Sequence, residues 1–372
     1  MDLEHLVLEA RQLVIDYISQ RPDTGQRALD LWTQQLERRC NSLSGGLKIP
    51  VRQFSIGDVT IGNPVVSAPL AGISDNTYRI FAAFFGCGLT YSEMITSYGL
   101  HYNHKKSIAL AGITDMERPC AVQIFGSEPE IMAEAAIKLE NIADIIDINM
   151  GCPVAKILKA KSGGWLLKEP GRSADIIKAV ASAIKIPVTV KIRLGWDSSS
   201  INVIEFARRC QDSGASAIAI HGRTVKQGFR GQADYLHIRK VKQELDIPVI
   251  VSGDINDANK AGEVLQYTDC DAVMIGRSSK GSMWVFADIV LGLLGYGPGP
   301  KPDIEWLKRF AVCYLKFMVF FKGEQKAVKE FRKYLSWIFK GMRGISTVKK
   351  DFFTINSIDE ATKVIDSLDN GM

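Results

Sequence analysis

From Val65 onward, hydrophobic and polar positions follow one repeating unit of roughly 30 residues. An apolar, β-branched run comes first, then a turn rich in Gly or polar residues, then a stretch with helical spacing. The runs are Val65–Pro69, Leu89–Glu93, Cys120–Phe125, Ile145–Asn149, Val188–Ile192, Ala217–His221, Val249–Ser252 and Ala272–Ile275. Near-continuous apolar runs mark strands buried on both faces, as in a parallel sheet covered by helices. Glu130–Asn141, Ser173–Ile184, Ile201–Ser213, Ile238–Glu244 and Ala258–Tyr267 supply helices between them. Eight units predict a closed (β/α)8 TIM barrel rather than an open doubly wound sheet. No Gly-x-Gly-x-x-Gly follows an early strand, which also disfavours a dinucleotide-binding sheet.

The two ends of the chain break this rhythm. Leu3, Leu6, Val7, Ala10, Leu13, Val14 and Tyr17 recur at helical spacing before Pro22. Leu29, Trp32 and Leu36 mark a second helix over Gln26–Cys40, and Asn41–Gly46 reads as a linker. Two short amphipathic helices cannot bury both stripes alone. The extension is therefore expected to pack on the main body or on another copy of the chain, the latter giving a homo-oligomer. Past the Gly/Pro tract Gly295–Pro302, residues 301–350 hold 13 Lys or Arg against 4 Asp or Glu, a local net of +9. Trp306, Phe310, Tyr314, Phe317, Phe320, Phe321, Phe331, Tyr334, Trp337 and Phe339 recur among these charges. They read as the core of a helical unit with a solvated basic face, or as a surface for a phosphate backbone; the two are compatible. The expected organisation is a helical extension over 1–50, a barrel over 51–298 and a C-terminal all-helical, RNA-binding unit over 299–372.

Composition narrows the class without naming a function. The 372 residues are 46% hydrophobic and 23% charged, with a net charge of +5, too weak to imply a polyanionic partner without the local map. No apolar stretch reaches the ~18 residues a spanning helix needs, and Met1-Asp2-Leu3-Glu4 does not open a signal peptide. Membrane association is not expected. Seven scattered cysteines without a Cys-x-x-Cys pair argue against a metal site or disulfide framework, and for a reducing cytoplasm.

In a barrel every strand's carboxyl end faces one mouth. That mouth collects Ala68-Pro69-Leu70-Ala71-Gly72, Glu93-Met94, Gln123, Asn149, Lys191 with Arg193, His221 with Arg223, Ser252-Gly253-Asp254 and Gly276-Arg277. Cys152 joins them, because Asp147-Ile148-Asn149-Met150-Gly151-Cys152-Pro153 ends a strand in a turn that neither strand nor helix continues. A lone Cys there also fits a small buried packing residue. Polar groups at the end of nearly every strand, however, form a site rather than a set of capped ends. The last two loops lie where barrels commonly bind phosphate, with glycines for close backbone approach and Arg277 for charge.

Taken in order, these motifs resemble the flavin-dependent tRNA dihydrouridine synthases, most closely the bacterial B branch. The resemblance runs from about Ile56 to Lys340 and adds Val190-Lys191-Ile192-Arg193, His221-Gly222-Arg223-Thr224, Met274-Ile275-Gly276-Arg277 and Arg332-Lys333-Tyr334 to the stretches above. It implies an FMN-holding barrel joined to a helical tRNA-binding domain, with NADPH as the reductant. It implies that Pro69, Leu70 and Ala71 line the flavin ring and that Gln123, Lys191 and His221 bond its polar edge and ribityl chain. Ser252, Gly253, Asp254, Gly276 and Arg277 would hold the phosphate region. Asn149 would face the uracil, Lys156, Arg193 and Arg223 would contact the substrate, and Cys152 would donate the proton. The residue types suit the reaction, since reducing a pyrimidine 5,6 double bond needs a hydride at C6 and a proton at C5. A thiol is mostly protonated at neutral pH, and a uridine in folded RNA must be extruded to reach the mouth.

The chain departs from the family at Ser252 (usually Asn), Tyr334 (often His) and Trp165 (usually small), and residues 1–50 have no counterpart. An FMN-dependent reductase of a free pyrimidine or enoate would have no use for the basic helical unit. The expected partner is tRNA or another structured RNA, and a non-catalytic RNA-binding protein would have no use for Cys152, Lys191 and His221.

Overall fold

The computed structural model describes residues 2–21, 29, 30, 32–34, 36, 52–297, 299–342, 345, 348 and 352–368. The expected linker Asn41–Gly46 and much of the second N-terminal helix lie outside the described residues.

The barrel strands are β1 (Val65–Ser67), β2 (Thr90–Tyr91), β3 (Cys120–Phe125), β4 (Ile145–Asn149), β5 (Val188–Arg193), β6 (Ala217–His221), β7 (Val249–Ser252) and β8 (Ala272–Ile275). All pair in parallel, in chain order from β2 to β8, and β8 pairs with β1. A parallel bridge from Val66 to Leu89 closes the ring between β1 and β2. The first two strands are shorter than their apolar runs; in the first, Pro69 has no N–H with which to continue a ladder.

Side chains alternate between two cores. Val66, Leu89, Tyr91, Ala121, Ile145, Ala217, Ile250 and Ala272 point into the barrel. The hairpin Phe54–Ile56 with Val59–Ile61 adds Ile56 and Ile61 to that cluster, closing the barrel at the strands' amino ends. Val122, Ile124, Ile146, Ile148, Val190, Ile192, Ile218 and Ile220 belong to the larger core beneath the helices. Further along β3 to β6 the inward positions turn polar, as Gln123, Asp147, Asn149, Thr189, Lys191 and His221. This change of inward chemistry along the strands makes one end of the barrel reactive.

The C-terminal part is helical: Ile304–Lys322, Glu324–Ile338 and Ile358–Asp366. Asp303 caps the first by accepting from Trp306 N at 2.8 Å, and Gly323, at φ +79°, separates the first two. Most of its aromatics are interior, including Trp306, Phe310, Tyr314, Phe317, Phe331 and Tyr334. The N-terminal helix Leu3–Ser19 packs on the main body, one of the two expected arrangements. Trp306 Nε1 donates to Leu13 O at 3.1 Å, and Arg309 pairs with Asp16 at 2.8 Å. The same segment reaches the barrel helix Val285–Leu293, where Tyr17 OH donates to Asp288 Oδ1 at 2.8 Å and Arg21 pairs with the same carboxylate. No helix among the described residues is long and apolar enough to cross a membrane.

Candidate active site

A cavity of about 810 Å³ opens at the carboxyl ends of the strands. Its wall includes Pro69, Leu70, Ala71, Gln123, Asn149, Cys152, Lys191, Arg193, His221, Ser252, Gly253, Asp254, Gly276 and Arg277. Residues distant in sequence are brought together because each sits at the same height on a neighbouring strand. The register shows this directly, with Asn149 beside Lys191, Arg193 beside His221 and Ser252 beside His221.

Two expected contacts lie elsewhere. Lys156 is exposed on the short helix Ala155–Lys159 and does not line the cavity. Arg223 is buried behind the wall, where it donates to Arg230 O at 3.0 Å and to Gly231 O, and pairs with Asp254 at 2.7 Å. Its guanidinium holds the loop after β6 in shape.

The Cys152 turn is held on several sides. Asn149 Oδ1 accepts from Cys152 N at 3.0 Å and from Gly151 N at 3.2 Å. Arg193 Nε donates to Gly151 O at 2.8 Å, and its Nη1 donates to Thr224 O and Gly228 O, tying the turn to the loop after β6. Gly163 packs below at φ +60°, where a Cβ would come within 3.1 Å of Cys152 Cβ. Trp165 does not crowd this turn. Its ring meets Trp196 edge-on at 5.7 Å, its Nε1 donates to Glu169 at 2.6 Å, and Lys168 lies 4.3 Å above it.

The mouth carries positive charge, and burial keeps the thiol protonated in spite of it. Burial pushes the Cys152 thiol up, against the pull of a backbone hydrogen bond and of Arg193 and Lys191. Burial and Arg193 lower Lys191 to about 8, while Asp147 and Cys152 oppose the shift. Burial lowers His221 far below its ordinary range, and Lys191, Arg193, Arg223 and Arg277 add to that, so its ring is neutral. Asp254 is the one carboxylate in the cavity wall among the described residues.

Met94, expected at the mouth, lines the cavity too, and so do Phe229 and Lys280, which went unnoticed in sequence. Phe229 is 55% exposed, with the Arg277 guanidinium 4.6 Å and that of Arg193 5.6 Å from its ring centre. Its signal was an aromatic in Gly228-Phe229-Arg230, within the long loop that follows His221.

The dihydrouridine synthase (Dus) family model matches residues 66–370, and so covers every strand of this barrel. The chain belongs to the dihydrouridine synthase family. It is 38% identical over 317 residues to tRNA-dihydrouridine synthase B of Vibrio vulnificus, covering 85% of this chain and 98% of that one. To probable tRNA-dihydrouridine synthase 1 of Synechocystis it is 36% identical over 318 residues, covering 85% and 89%. Among solved structures, TcOYE with pHBA superposes with a TM-score of 0.50 at 11% identity, over 72% of this chain and 98% of that one. A 2-naphthoyl-CoA reductase complex gives 0.51 at 14% identity, over 65% and 52%. These two likenesses concern the fold alone.

As a dihydrouridine synthase, the chain is an oxidoreductase, and its family frame begins near β1. The helix Leu3–Ser19 therefore precedes the matched region. Tyr334 is buried at the join of the two units, where its hydroxyl reaches Ile73 O at 3.4 Å, and Lys333 donates to Gly72 O. The helical unit thus grips the loop that carries Pro69, Leu70 and Ala71. Lys322, which the charge map offered to RNA, pairs instead with Asp75 and Glu330.

Proposed function

We propose that this protein reduces a uridine in tRNA to 5,6-dihydrouridine, with FMN as resident cofactor, NADPH as reductant and the cytoplasm as its compartment. One observation carries the reading: a protonated thiol and a cationic, glycine-edged cradle share a single cavity at the strand ends. The residues suit FMN. Pro69, Leu70, Ala71 and Met94 offer apolar surface, while Arg277, Lys280 and the Gly253 and Gly276 loops offer charge and backbone approach for a phosphate. The departure at Ser252 keeps a small polar group in this wall. FMN bound there supplies the hydride.

The chain's own residues do the rest. Lys191, Gln123 and the neutral His221 hold the polar edge of the cofactor, and Asp254 keeps Arg277 in place from 3.3 Å. Asn149 faces the pyrimidine with the amide hydrogen that Gln123 does not take, which in this structure points to Met94 Sδ at 3.7 Å, a weak acceptor that a substrate oxygen can replace. Arg193 keeps the Cys152 turn closed and adds positive charge beside the base. Cys152 Sγ–H gives its proton to C5 and takes one back from solvent, so the residue ends as it began. Lys156, exposed just past the turn, meets a phosphate of the incoming RNA.

Purified protein should be yellow, and its absorption should bleach with NADPH. Arg277→Ala should weaken FMN retention, as one charge-assisted phosphate contact is worth ~1.5–3 kcal/mol. A colourless protein that FMN cannot reconstitute would overturn the proposal.

A further inference from the structure

Asp147 is completely buried in the barrel beneath the cavity, and the reaction described above gives it no role. Thr189 Oγ1 donates to its Oδ1 and Gln123 Nε2 to its Oδ2, both at 2.6 Å. Gln123 Oε1 then accepts from Asn149 Nδ2 at 2.8 Å. Asn149 Oδ1 in turn accepts from the Gly151 and Cys152 amides. Every bond in this chain runs in one direction. Flipping either amide would set oxygen against carboxylate at one end, or N–H against N–H at the other.

We infer that Asp147 is a positioning residue, the acceptor at the root of a one-way hydrogen-bond chain that sets the Gln123 and Asn149 amides and, through them, the Cys152 turn. The inference rests on the reading of Cys152 as the proton donor. Without an acceptor at position 147, Gln123 Nε2 is left buried and unpaired, and the amide turns to find another partner. Asn149 then loses its anchor, and the turn loses the oxygen that holds two of its N–H groups. The negative charge itself is not required. In Asp147→Asn the new amide oxygen can accept from Gln123 while its NH2 donates to Thr189 Oγ1, which can act as acceptor. That rescue needs the Thr189 hydroxyl.

The test uses the full chain with Asp147→Leu, Asp147→Asn, Thr189→Val and the double variant Asp147→Asn/Thr189→Val. Iodoacetamide labelling of Cys152 is followed by peptide mass spectrometry in flavin-free protein. kcat and KM for tRNA are measured in the FMN-loaded protein, with melting temperature on the same samples. Asp147→Leu should speed Cys152 labelling and lower kcat by about 100-fold with KM little changed, the scale of a 1 Å misplacement. Asp147→Asn and Thr189→Val should each stay near wild type, and the double variant should lose the rescue. The isosteric double variant keeps the test open if Asp147→Leu does not fold. A folded Asp147→Leu with wild-type labelling and kcat, or a double variant equal to Asp147→Asn, would overturn the inference. Labelling that changes while Cys152→Ala stays fully active would instead preserve the chain and remove the proton-donor reading.

Discussion

A half-buried thiol beside a turn can serve as an acid or as packing, and Cys152→Ala separates the two. The account expects the variant to bind FMN, accept reduction by NADPH and bind RNA, while RNA-dependent flavin reoxidation slows by ~10²–10⁴-fold. Cys152→Ser should recover little, because a hydroxyl is a far weaker acid than a thiol with reference pKa ~8.5. A packing residue would show loss of melting temperature with turnover intact. Asp147 gives a pH signature of its own. Burial raises its carboxyl from 3.8 to about 6, although Gln123, Thr189 and Lys191 oppose the shift. Between those values the folded chain holds a proton that the unfolded chain has released, so this group's contribution falls as pH rises from 4 to 6. It is flat above that. Urea titrations should show Asp147→Asn gaining on wild type across that window, by on the order of 2 kcal/mol; parallel curves would contradict the shift. Cys152, Lys191 and His221 were legible in sequence because strand ends report their own direction. Arg223 was not, since Arg at a strand end looks alike whether it faces a ligand or folds back onto Gly231 O.

At the scale of elements, the strands were read well from apolar runs, and six of the eight in the barrel match them nearly end to end. The N-terminal helix was legible as a stripe, because 3.6-residue spacing is local. Its partner was not, because docking depends on surfaces remote in sequence. That helix joins the barrel to the helical unit through Asp288, which Tyr17 and Arg21 both engage. Asp288→Ala should lower stability by ~3–5 kcal/mol, the cost of leaving one partner of a buried pair uncompensated. Tyr17→Phe should cost ~1 kcal/mol, the worth of one hydrogen bond. Thermal denaturation of both variants tests this; equal, negligible effects would show that the helix does not brace the two units.

For the whole molecule, the local charge of +9 overstates the free basic surface. Arg309 pairs with Asp16, Lys316 with Glu9 and Lys322 with Asp75, all acids outside that segment, while Arg332 bonds Phe352 O and Phe353 O. Composition counts charges but does not show which are already neutralised within the fold. Lys326 and Lys329 remain exposed on the Glu324–Ile338 helix. Lys326→Ala/Lys329→Ala should weaken RNA binding and flatten its salt dependence by ~0.7–0.9 log units per lost contact, with FMN binding unchanged. Lys322→Ala should act on stability instead, by stranding Asp75 and Glu330. The most direct measurement is mass spectrometry of unmodified tRNA after incubation with the purified protein, FMN and NADPH. The account predicts one or more uridines gaining two hydrogens, and none with Cys152→Ala at the same short times. Unaltered tRNA, from a protein that reduces a free pyrimidine or an enoate under the same conditions, would contradict it.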